Sequence, residues 1–281
     1  RRKGNVNYIG WAVPESVFID YEIIQSAPVI FNYSGIGDVL CFYTGVLDWQ
    51  FANNKNKCEQ KWKYNQELAA QSLKYVDDLL VNVKHIKAMN EKGIDTIIRA
   101  HQWGGNSFYS SGWNPRHIEG IEHFFFYNLE FLTNKKFIHG QPVCLGFVLG
   151  CLLHNKLEDK FLNFFKSLNF DFTPQAMDIS WDNIDSTLST LKNYIETNNL
   201  WYGIGNEFEY SKGIVEKLKA SRERDMVIFN NLKKMPEYIN LIEENKKLKN
   251  LLSEKSNNEI KMDIIEKCNI GKTYSSGDLK E

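Results

Sequence analysis

Long apolar runs are missing from this 281-residue sequence. The longest, Pro142 to Leu153, is too short to span a bilayer, and the opening Arg1, Arg2, Lys3, Gly4 carries no apolar signal segment. A soluble, cytoplasmic protein without a membrane partner is the expectation. An excess of either charge is missing too: 34 basic against 35 acidic side chains leave a formal net charge of -1, and nothing steers the chain toward nucleic acid. Cysteine is sparse. Cys41, Cys58, Cys144, Cys151 and Cys268 make an odd count with no CxxC spacing, which argues against a disulfide framework or a zinc knuckle and for reduced, buried thiols. No GxGxxG stands at a strand-to-helix turn either, since Gly104 and Gly105 fall between predicted helices.

What is present is apolar bulk: 43% hydrophobic residues, enough for one large core or two modest ones, with 14% aromatics. The clusters Phe124 to Phe126 and Phe164, Phe165 are not interleaved with a basic stripe, so they read as packing and not as base stacking. Residues 5 to 24 read as extended, with strands at Asn5 to Ile9 and Ser16 to Asp20 separated by Pro14; a pair this small belongs to a larger sheet. Ser34, Gly35, Ile36 and Gly37 predict a turn, with Asp38 near the start of a helix that runs through Trp49. A long amphipathic helix follows over 59–90 and another over 94–103. A Gly-, Ser- and Asn-rich loop spans 104–116. Further helices are predicted over 117–132, 142–153, 157–168, 181–196 and 212–232, the second of them apolar nearly all round and hence buried. The polar stretch 238–266 reads as a terminal helix or short coiled coil, and disorder is expected after Cys268.

Three polar residues interrupt segments that would otherwise bury: Asp38, His123 and His139. One carboxylate and two neutral imidazoles make a borderline-hard donor set suited to zinc, iron(II) or a similar divalent ion, with positions left open for a substrate oxygen. Spacing permits this convergence without requiring it. Taken singly, each histidine reads more readily as a hydrogen-bonded structural residue and Asp38 as a helix N-cap.

The stretch from Ala27 and Pro28 through Gly35, Gly37, Asp38, Val39 and Leu40 to Leu47, Asp48 and Trp49 resembles the glycerol-1-phosphate dehydrogenase-like branch of the iron-containing alcohol dehydrogenase, dehydroquinate-synthase-like superfamily. Gly120, Glu122 and His123 resemble its Gly-x-Glu-His motif. His139, Gly140, Val143 and Gly146 resemble its His-Gly-x-x-Val-x-x-Gly motif. Order and separation agree, over roughly residues 5 to 232. Departures are Ile121 before Glu-His and Gln141 after His-Gly. The family's N-terminal Rossmann-like half is absent from the sequence.

The resemblance implies a mainly α, dehydroquinate synthase-like helical metal-binding domain over 28–235. It would be preceded by a β remnant of the nucleotide domain over 1–27 and followed by a polar helical tail over 236–281. It implies that Asp38, His123 and His139 hold a catalytic zinc or iron ion, that NAD(P) is bound mainly outside this segment, and that a small polyol or polyol phosphate is the substrate of a reversible hydride transfer. A homo-oligomer is expected. Glu122 would either orient a ligand or form a structural salt bridge. His101, Asn106, Ser107, Arg116 and His117 would either line the substrate mouth or sit in solvent, with Arg116 the candidate for a phosphate. The start without Met favours a fragment or processed chain. Two other readings stay open: a catalytically inactive or split-enzyme subunit that kept the fold for assembly, and a dehydroquinate synthase-like cyclase, for which the family's usual first ligand is Glu where this chain has Asp38.

Overall fold

The computed structural model describes residues 16–221, and no strand occurs among them: the chain is mainly α. The expected strand at 5–9 and everything after 221, including the polar tail and the expected disorder, lie outside the described residues. Ser16 to Asp20 forms no ladder and leaves Phe18 96% exposed. Its last residue instead starts helix α1 (Tyr21–Ser26), where Asp20 Oδ1 accepts from the Ile23 amide at 3.1 Å. A carboxylate in reach of an orphan N–H outweighs the weak strand propensity of the residues around it.

Helix α2 (Val29–Asn54) begins directly after Pro28 and does not break at its glycines. The predicted turn at Ser34 to Gly37 is therefore corrected to helix, and Asp38 sits nine residues inside it. The glycines are helical because a neighbour presses on them. A Cβ on Gly37 would meet Gly140 O at 3.0 Å and Cys144 Sγ at 3.1 Å. Close packing of two backbones offsets the helix cost of glycine.

The long helix expected over 59–90 is broken into a short 3-10 turn at Gln60–Trp62, α3 (Gln66–Val81) and α4 (Val83–Lys87). Asparagines make the breaks. Asn65 caps α3 through Leu68 N, Asn82 bonds back to Asp78 O, and Asn90 caps α5 (Glu91–Ser110) through Gly93 N. Such side chains compete with the helical ladder for backbone groups. In α5 the buried residues Ile94, Ile97, Ala100, Gly104 and Ser107 form one stripe, so the helix runs through most of the predicted loop.

Helix α6 (Ile121–Thr133) and helix α7 (Gly140–Leu153) pack on α2 and on each other to form the centre. α7 is buried almost throughout, as its all-round apolarity predicts. Its one polar interior side chain, Gln141, is satisfied by Asp171 O at 2.9 Å. Around this centre lie α8 (Asp159–Leu168), α9 (Trp181–Thr197), capped by Ser180 with Asn183, and the helical residues 212–221 (α10), which bury Val215 and Leu218.

One buried carboxylate ties several ends together. Asp48 on α2 is 1% exposed and accepts from Ile121 N at 2.7 Å, Ile204 N at 2.8 Å and His154 Nε2 at 3.0 Å. It fixes the first turn of α6, the 3-10 turn Ile204–Asn206 and the residue that ends α7.

Candidate metal centre

The three central helices each contribute one polar side chain to one place. Asp38 comes from the interior of α2, His123 from the first turn of α6, and His139 from the N-cap of α7. Asp38 Oδ1 pairs with His139 Nε2 at 2.8 Å and lies 3.5 Å from His123 Nε2, and the two imidazole centroids are 5.3 Å apart. His123 is nearly buried, with 10% of its side chain exposed, whereas His139 at 41% faces the entrance.

The trio opens into a cavity of about 410 Å³, shared with Phe42, His101, Gly104, Gly105, Ile118, Glu119 and Tyr127. No Lys or Arg lines it among the described residues, and Asp38 faces the two imidazoles. The electrostatics follow from this. Burial opposes ionisation of Asp38, but the hydrogen bonds from His123 and His139 outweigh it and hold the carboxyl well below the usual range. Burial also opposes the His123 imidazolium, and the hydrogen bonds to Asp38 and Glu122 outweigh that too, pushing His123 up to about 10. One carboxylate oxygen facing two Nε2 atoms beside a cavity is a position a divalent ion fits by the chemistry of its donors, displacing the protons that the nitrogens otherwise hold there.

Cys41 lies one turn along α2 from Asp38, with its Sγ, an Asp38 oxygen and a His123 nitrogen within 4.8 Å of one another. Its thiol donates to Gly37 O at 2.9 Å, and burial pushes its pKa well up, so it belongs to the wall of the site.

The remaining sequence candidates divide. His101, exposed on α5, lines the cavity and pairs through Nε2 with Gly35 O at 2.9 Å. Glu122 does not line the cavity but touches a residue that does, with Oε1 3.1 Å from His123 Nδ1. Arg116 is not brought to the cavity: it is 1% exposed and its Nε stands 3.8 Å from Glu59, because the 114–120 segment wraps closely against Gly45 of α2. His117 is buried as well, with Nε2 2.8 Å from Ser107 Oγ and its ring edge-on to Trp103. Burial lowers its pKa to about 4. Asn106 is exposed on α5.

Glu119 and Tyr127, which pair at 2.8 Å on the cavity wall, are absent from the sequence-level candidates. The signal was available for two of the missed lining residues. Tyr127 is four residues beyond His123 and Phe42 four beyond Asp38, positions that share a helix face.

No family model matches the chain. Among curated proteins it is similar to glycerol-1-phosphate dehydrogenase, NAD(P)+, of Aeropyrum pernix, at 32% identity over 143 residues, covering 51% of this chain and 39% of the relative. The protein of the same name from Pyrococcus abyssi is 31% identical over 141 residues, covering 50% and 39%. That of Methanosarcina acetivorans is 30% identical over 141 residues, covering 50% and 38%. The match thus spans about two fifths of the length of these relatives. Over about half its length the chain is therefore similar to proteins named glycerol-1-phosphate dehydrogenase, and its described residues are mainly α.

Proposed function

We propose that this chain forms the metal- and substrate-holding half of an NAD(P)-dependent dehydrogenase that interconverts a small polyol phosphate, of the glycerol 1-phosphate class, and its ketone by reversible hydride transfer. The observation that carries the reading is the meeting of Asp38, His123 and His139, from three different helices, at the wall of one cavity. A zinc or iron ion held there supplies Lewis acidity toward a substrate hydroxyl. The chain's own side chains do the rest of the binding. Tyr127, whose hydroxyl donates to Glu119 at 2.8 Å, and Glu119 itself offer acceptor oxygens to the polyol's hydroxyls. Phe42 and Ile118 give an apolar wall that excludes water from the carbon skeleton, and the volume suits a ligand of this size. Arg116, held against Glu59, takes no part in holding the phosphate. NAD(P) is held mainly by parts of the protein beyond these helices.

The test is elemental analysis of the purified chain followed by fluorescence titration with NADH and NADPH. Bound zinc or iron is expected, and His139→Ala is expected to abolish its retention; unchanged stoichiometry in that variant would refute the ligand assignment. Metal uptake without nucleotide binding supports a chain that holds only the metal half. A folded chain that takes up neither overturns the enzyme reading.

A further inference from the structure

Glu122 is fully buried on the first turn of α6, behind His123 as seen from the cavity. A buried carboxylate is costly unless donors satisfy it. Here Oε1 accepts from Gly120 N at 2.6 Å and lies 3.1 Å from His123 Nδ1, while Oε2 is buried with no hydrogen-bond partner. Successive helical residues ordinarily point about 100° apart. The contact forms because Glu122 folds back over the helix N-terminus toward Gly120, which brings its carboxylate alongside the ring of the next residue. An oxygen that is already accepting an N–H can face Nδ1 at this distance only if Nδ1 carries a proton. His123 is then left with Nε2 as its one nitrogen able to offer a lone pair, and Nε2 is the atom turned toward Asp38.

We propose that Glu122 is the positioning residue of the metal centre: by accepting from Nδ1 it sets the tautomer and angle of His123, presents Nε2 to a divalent ion and raises the basicity of that nitrogen. The proposal rests on the reading of Asp38, His123 and His139 as metal ligands. A structural role alone, capping Gly120 N, would not require the ring to be engaged.

Zinc affinity of the full chain, measured by competition with a chromophoric chelator, is the first readout. Glu122→Ala is expected to weaken binding by roughly 10–100-fold, and Glu122→Gln, whose carboxamide oxygen still accepts from Nδ1, is expected to recover most of it. The second readout is the hydrogen-bonded Nδ1 proton of His123 in the zinc-loaded, nitrogen-15-labelled protein: present in wild type and in Glu122→Gln, lost in Glu122→Ala. Equal affinity in all three with the proton signal unchanged overturns the proposal while leaving the ligands in place. A folded wild type that takes up no zinc or iron overturns the metal reading, and this proposal with it. If Glu122→Ala does not fold, Glu122→Asp decides, because the shorter side chain keeps the charge but not the reach; a tenfold loss supports the role and unchanged affinity refutes it.

Discussion

Replacing Asp48 by Ala would remove the acceptor shared by Ile121 N, Ile204 N and His154 Nε2. Both amides mark where backbone turns begin, and His154 is 8% exposed on its side chain, so water does not readily take the carboxylate's place. Each buried donor left unsatisfied costs about 1–3 kcal/mol. Set against the recovered desolvation of the carboxylate, the net loss is about 4 kcal/mol, within the range for breaking a buried ion pair. For a unit of this size that lowers the melting temperature by roughly 10 °C. Asp48→Asn can satisfy Ile204 N and His154 through its oxygen but then turns an NH2 on Ile121 N, so about 2 kcal/mol is expected. Urea unfolding of the metal-free protein, with calorimetry alongside, measures both. The reasoning fails if the Ala variant loses less than about 1 kcal/mol or if Asn equals wild type. A second consequence follows at the site. Ile121 N anchors the turn that carries Glu122 and His123, so both variants should also weaken metal binding, beyond what their stability explains.

Other outcomes follow from the same geometry. In Gly140→Ala the new Cβ would fall 1.8 Å from Ser34 O, so α2 and α7 must separate; a loss of about 3 kcal/mol or more by urea unfolding, with loss of metal retention, is expected. Cobalt(II) loaded at the proposed site should show no strong near-ultraviolet thiolate band, with Cys41→Ser spectroscopically silent, because the Cys41 thiol is occupied with Gly37 O. Such a band that disappears on Cys41→Ser would make Cys41 a ligand. His117, held at about 4 by burial, is neutral in the fold, so the unfolded chain takes up its proton first as pH falls below about 6.5. Stability from this group is complete above that pH and falls between about 6.5 and 4, by roughly 3 kcal/mol in total. The urea midpoint of His117→Gln, compared with wild type across that window, should lack this component.

Apolar periodicity made the outer architecture readable: the stripe of α5, the all-round apolarity of α7 and the amphipathic α8 and α9 stand in the structure close to where the pattern puts them. Where it misread, one cause is that a local signal can be overridden by a partner remote in sequence. Gly35 and Gly37 look like a turn until Gly140, Cys144 and His101 are seen packed on them. The Asn65, Asn82 and Asn90 breaks are the reverse case, local caps hidden within a continuous amphipathic pattern. At the site, Asp38, His123 and His139 could be named because polar residues stand out in apolar surroundings. Arg116 was a phosphate candidate as the cation at the end of the polar loop before His123, and it lies against Glu59 instead, since charge marks a residue without saying what it meets. Glu119 and Tyr127 offered no such contrast, lying in the loop and helix that carry many polar and aromatic neighbours.

The glycines flanking Asp38 and His139 explain why the three helices bring these side chains within reach of one another. Gly37 precedes Asp38 and Gly140 follows His139, and at both, α2 and α7 pack with little space to spare: a Cβ on Gly140 would strike Ser34 O and one on Gly37 would lie 3.0 Å from Gly140 O. The approach that buries the core is therefore the same contact that sets Asp38 Oδ1 at 2.8 Å from His139 Nε2. Gly146 does the corresponding work nearly two turns further along α7, where a Cβ would lie 2.5 Å from Glu122 O and force α6 outward. Since Glu122 and His123 ride on that turn, the spacing between α6 and α7 fixes the third donor as well. Small residues placed beside polar ones convert helix packing, which tolerates errors of an ångström poorly, into donor geometry held to the same tolerance. Such a site depends on backbone separation more than on side-chain freedom. Enlarging Gly146 to Ala, which touches no donor, should weaken metal binding by at least tenfold, while a substitution of similar size at exposed Gly105, with nothing within 4 Å of its Cβ position, should leave it unchanged. Equal affinities for the two variants would show that the ligands adjust independently of the helices.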